Sequence, residues 1–109
     1  MRIFTTPTLT LQVEGVDLTG EDHVAFSLAD PTESHVVTKE DNALTLTKVG
    51  SDTKVSMTLT QAESGSFKPN RIGKGEINWW NNAGTSRGAT EIVDIPIKNN
   101  ILKKVKPDV

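Results

Sequence analysis

Apolar positions along this chain recur at every second residue, the spacing of strands that bury one face. Leu9, Leu11 and Val13 share one face of Thr8 to Val13, and Val24, Phe26 and Leu28 share one face of His23 to Ala29. Between them Gly15 to Gly20 reads as a turn plugged by Val16 and Leu18. Asp30-Pro31 stops the second strand, because the residue before proline is driven out of regular pairing. Ser34 to Lys39 is a weaker strand around Val36 and Val37, ended by a turn at Asp41-Asn42. Ala43 to Val49 and Lys54 to Thr60 flank Gly50-Ser51-Asp52 and predict a hairpin, with Leu44 and Leu46 facing Val55, Met57 and Leu59.

Thr60-Gln61-Ala62-Glu63 changes the period and matches the capping box of a helix start. Gly65 suits a left-handed stop after one turn. Phe67 then folds back onto the core, and Lys68-Pro69-Asn70 leads into Gly73 to Ile97, the stretch that holds both tryptophans.

In that stretch Gly75, Ile77 and Trp79 face inward, and Lys74, Glu76, Asn78 and Trp80 face outward. Asn81, Asn82, Ala83 and Gly84 form the turn. On the return Ala89, Val93, Ile95 and Ile97 keep one parity, but Glu91 interrupts it and Ile92 falls on the wrong side. A bulge near Glu91 repairs the phase. Pro96 cannot donate to a ladder and belongs on an edge or at a bulge.

About seven short strands within residues 1–98 predict an all-β, immunoglobulin-like sandwich with one helical turn, a small closed barrel being the alternative. Residues 99–109 form a basic tail with Ile101, Leu102 and Val105 at helical spacing. That tail is either a short docked helix or a segment that orders against a partner.

Composition agrees: the β-branched residues threonine, valine and isoleucine exceed a quarter of the chain. The 12 basic and 14 acidic residues are interspersed, with a net charge of −2, so no basic field draws in nucleic acid. There is no cysteine, hence no disulfide and no thiolate chemistry, which suits synthesis in a reducing cytoplasm. No apolar run reaches the length of a signal or membrane span.

Candidate chemistry is sparse. His23 and His35 have no second histidine at ligand spacing and read as solvent-facing. Glu14, Asp17, Glu21 and Asp22 crowd one turn without the ligand spacing of a calcium loop. Gly73-Lys74-Gly75 lacks the rest of a phosphate loop. No nucleophile, acid or base pattern, no metal set and no cofactor motif stands out, so the expectation is a protein without enzymatic activity. Trp80 is the sharpest candidate. Projecting beside Asn78, Asn81 and Asn82, it is either a contact anchor for a neighbouring subunit or a sugar, or a ring covered by Ile101 or Leu102 of the tail.

Ile3-Phe4-Thr5-Thr6-Pro7-Thr8-Leu9, Gly15-Val16-Asp17-Leu18-Thr19, Leu59-Thr60-Gln61-Ala62-Glu63 with Phe67, Ile77-Asn78-Trp79 and Ala89-Thr90-Glu91-Ile92 resemble small proteins encoded by phages and prophages of Gram-positive bacteria. The layout is also similar to the immunoglobulin-like N-terminal modules of phage baseplate proteins. The resemblance implies a virion or assembly component of a tail, baseplate or head-tail junction. Its partners would be itself or other phage structural proteins, with no nucleic acid and no membrane. It would be cytoplasmic when made and present in the virion afterwards. It assigns no site residues, and Trp80 departs from the pattern, which carries a lone tryptophan. A small carbohydrate- or cell-surface-binding module is the alternative.

Overall fold

The period-2 segments become eight strands in a computed structural model that describes residues 1–106: β1 (Thr8–Val13), β2 (His23–Ala29), β3 (Val36–Glu40), β4 (Thr45–Val49), β5 (Asp52–Thr58), β6 (Arg71–Trp80), β7 (Arg87–Ala89) and β8 (Val93–Ile97). They form two antiparallel sheets. One has the order β1-β5-β4, and the other runs β3-β2-β6 with β7 and β8 both paired to β6. This is the strand order of an immunoglobulin sandwich, in which a three-stranded sheet packs on the sheet built around the central pair, here β2 and β6. A parallel bridge between Arg2 and Lys98 lays the first residues alongside the end of β8.

The inward parity fills the space between the sheets as read from the sequence. Phe26, Leu28, Val55 and Ile77 are fully buried, with Val24, Met57 and Leu59 beside them. Each such side chain contributes roughly 1.5–3 kcal/mol by leaving water. Leu18 is a complete plug, whereas Val16 is half-buried. Phe67 returns to the core and Trp79 packs against its margin.

The bulge is visible in the registers. Asn78 pairs with Ala89, yet Gly75 pairs with Val93, so residues 76–77 of β6 face residues 90–92 of the returning chain, one residue more. Thr90 fills the interruption: its hydroxyl accepts the Ile77 amide and its own amide donates to the Ile77 carbonyl. The bulge divides the returning strand and raises the strand count from seven to eight. Pro96 lies on β8, at the sheet edge.

Three local expectations are corrected. The helical turn α1 (Gln61–Gly65) has its capping box, with the Thr60 hydroxyl accepting from Glu63 N and the Glu63 carboxylate accepting from Thr60 N. Gly65 is not left-handed, however. It is small because the Phe4 ring lies where a side chain would begin, only 2.4 Å from an added Cβ. Ala43 belongs to a 3-10 turn over Asp41–Ala43 and not to β4. Residues 99–106 form no helix, and the end of the tail, 107–109, lies outside the described residues.

Candidate functional site

Strand parity places Trp80 on the outer face of the five-stranded sheet, at the end of β6 and opposite His23 of β2. Neighbours on a strand end share one exposed surface, and their rings stack with centroids 5.3 Å apart and 22° between planes. His23 is therefore not simply solvent-facing. Its Nδ1 is 2.9 Å from Asp41 Oδ2 and its Nε2 is 2.6 Å from Asn82 Oδ1. Asp41 reaches that position because its backbone takes a left-handed turn, φ 49°, and its other oxygen accepts the Val24 amide. The Asp41 hydrogen bond, followed by the one to Asn82, holds the His23 pKa above its ordinary value, and the same contact holds the Asp41 carboxyl below its own.

The three asparagines predicted beside Trp80 are engaged within the chain. Asn81 Oδ1 accepts the amides of Thr85 and Ser86 while its Nδ2 donates to the Thr85 hydroxyl, so this one side chain shapes the 81–86 loop. Asn82 binds His23 and donates its backbone amide to Asp22. Asn78 donates to Glu76. Such amides organise a loop; they are not aligned for the hydroxyls of a sugar.

Ile101 and Leu102 do not belong to this surface. β8 ends with Ile97 opposite Arg71, the far end of β6, and the ten residues of that strand separate Arg71 from Trp80 by about 30 Å. Five residues of extended chain reach only about 17 Å, so Leu102 cannot cover Trp80. The tail turns instead toward α1, where the Gln61 side chain bonds Lys106 N and O. Ile101 is 96% exposed there. The predicted contact surface thus divides into two, at opposite ends of a domain 44 Å long.

The two ends differ in charge. At the Trp80 end, the loop between β1 and β2 and the neighbouring turns carry Glu14, Asp17, Glu21, Asp22, Asp41 and Asp52, against Lys48 and Arg87. At the other end the N-terminal segment, the loop after α1 and the tail carry Arg2, Lys68, Arg71, Lys98, Lys103 and Lys104, against Asp30, Glu33 and Asp94. Among the described residues the lysines in ion pairs are Lys39 with Glu63, Lys48 with Asp17 and Lys74 with Glu33. None of those six basic residues has such a partner. Asp30 is in ion-pair contact with none of them: burial opposes its charge, but the His35 amide and the Thr32 and Ser34 groups outweigh that and keep it ionised, so it sets one negative charge beside Lys68 and Arg71.

Sequence reasoning missed a cleft of about 400 Å³ at the basic end, with Pro31, His35, Phe67, Lys68, Arg71 and Ile97 in its wall. His35 bonds the Ser66 hydroxyl at 2.7 Å and tilts against Phe67. Only the aromatic Phe67 next to a proline-bearing loop hinted at it. Among the described residues no group of three or more His, Asp or Glu side chains could hold a metal ion, and no helix is long and apolar enough to cross a membrane.

No protein-family model matches this chain, and no curated protein matches it.

Proposed function

We propose that this protein is a non-enzymatic building block of a phage or prophage particle, in a tail, baseplate or head-tail junction, and that copies of it associate end to end. The origin rests on the resemblance of the quoted segments. The mode of action rests on one observation: carboxylates collect at one end of an elongated domain and unpaired cations at the other. A net charge near zero hides this arrangement. Opposite potentials on two different surfaces favour a head-to-tail contact, which closes into a ring or continues as a filament. The basic tail, held at Asn99 by Arg2 and at Lys106 by Gln61 with exposed residues between, is placed to reach a neighbour.

Charge reversal tests the reading. Among the described residues Glu14 and Glu21 make no side-chain hydrogen bond, and neither Lys68 nor Arg71 holds a carboxylate. Light scattering at low salt is expected to show oligomers that dissociate at about 1 M salt, where screening acts within about 3 Å. The E14K/E21K and K68E/R71E variants should each stay monomeric, and their equimolar mixture should assemble again. A wild-type chain that is monomeric at every concentration, or oligomers indifferent to both variants, would refute end-to-end association. Glycan recognition through Trp80 is the weaker reading, because the neighbouring amides are already bonded and one indole face is stacked on His23.

A further inference from the structure

The cluster around His23 joins three segments distant in sequence, β2, the β3–β4 turn and the β6–β7 loop, through one imidazole ring. Both groups facing the ring nitrogens are oxygens, Asp41 Oδ2 and Asn82 Oδ1. Oxygen accepts, so both contacts are hydrogen bonds only when both ring nitrogens carry protons. A neutral imidazole has one proton and one bare nitrogen, so with the amide as it stands one of the two contacts sets lone pair against lone pair, and the Asn82 side chain must turn or move away from the ring.

We propose that His23 is a proton-dependent latch: as an imidazolium it ties the 81–86 loop to β2 and to the β3–β4 turn, and on losing one proton it releases the Asn82 contact and frees the loop tip. The proton stays on Nδ1, because the carboxylate is the stronger acceptor, so the Asn82 side loosens first. The other charges around the ring favour the protonated form. Asp22 takes the backbone amide of Asn82 and adds its field to that of Asp41. Arg87 lies opposite Trp80 on β7, so a cation stands one strand away from the ring and its charge opposes the protonated form. The indole itself attracts a cation lying over its face. Residues 82–87 beyond the latch are exposed, so the loop has no apolar contact to hold it once the ring lets go.

The latch belongs to the single chain and does not depend on end-to-end association. It is tested on monomer at high salt, where failure of the assembly reading cannot affect the outcome. NMR pH titration should give His23 a midpoint above the ordinary value of about 6.5, with His35→Gln used for assignment. The Trp80 indole N–H and the Asn82 amide should move with the same midpoint, and fast backbone motion of residues 82–86 should rise above it. Asp41→Asn should lower the midpoint. Asn82→Asp, which cannot turn an amide N–H toward the bare nitrogen, should raise it while leaving β2 and β6 resonances in place. A His23 midpoint at or below about 6.5, or a His23 titration that leaves Trp80 and the loop unmoved, would overturn the latch.

Discussion

The two ends of the domain are closed by different chemistry. At the basic end the plug is apolar, with Ile3, Phe67 and Ile97 buried beneath the N-terminal segment and backbone bonds joining Ile3 to Lys98 and Asn70 to Ile97. At the acidic end side-chain oxygens do the joining. Thr53, fully buried, donates to Val16 O and accepts from Leu18 N, Asp52 takes the Gly15 amide and the Gln12 side chain, and Asp41 and Asn82 meet on His23. The difference shows where charge is free to act outward. Carboxylates at the acidic end are shared between loop construction and the external field, whereas the cations at the basic end bond at most a backbone carbonyl, Arg2 that of Asn99 and Arg71 that of Asn70.

Removing the apolar plug should have the largest effect. Phe67→Ala is expected to cost about 3–5 kcal/mol by chemical denaturation, since it removes a buried ring from the edge of the core; a loss below about 1 kcal/mol would mean that the basic end is not closed by packing. Thr53→Val keeps the volume but strands the buried Leu18 amide and the half-buried Val16 carbonyl, which should cost about 1–3 kcal/mol. An unchanged denaturation midpoint would show that Thr53 is not the post of the acidic end.

The smallest effect is one of pH. Asp52 is held low first by the Gly15 amide and then by Gln12, and Asp41 by His23 and the Val24 amide. A carboxylate whose pKa falls on folding stabilises the native state above its unfolded value, near 4, and loses that contribution as pH drops through the folded value. Below about pH 4 the amides of Gly15 and Val24 should therefore lose hydrogen-exchange protection before those of β6 do. Simultaneous loss in all three would erase the distinction between the ends.

Most of the sandwich was legible because burying one face of a strand leaves a mark at every second residue. Even the bulge could be read, from the misplaced Ile92 and the parity break at Glu91. The features that escaped depend on residues far apart in the chain. Gly65 looked like a helix stop because local rules favour that use; its cause is Phe4, which no local pattern relates to it. His23, Asp41, Asn82 and Trp80 each carry an unremarkable local signal, and only the β2–β6 register brings them together. Likewise no local signal tells whether Ile101 or Leu102 of the tail covers Trp80; the direction of β8 decides it by sending the tail to the other end.

The extra residue at 90–92 also bears on solubility. β7 and β8 lie along one border of the five-stranded sheet, where an unbroken strand from Arg87 to Ile97 would offer a long row of unpaired amides and carbonyls to any other chain. The bulge breaks that row in the middle, and Pro96 removes a donor near its end. Deleting Glu91 would leave two residues facing two and allow a continuous ladder in the present registers, turning a guarded border into a template for sheet growth between molecules. The irregularity that looks like a flaw in the strand pattern thus leaves this border without the continuous ladder that sheet growth between molecules needs.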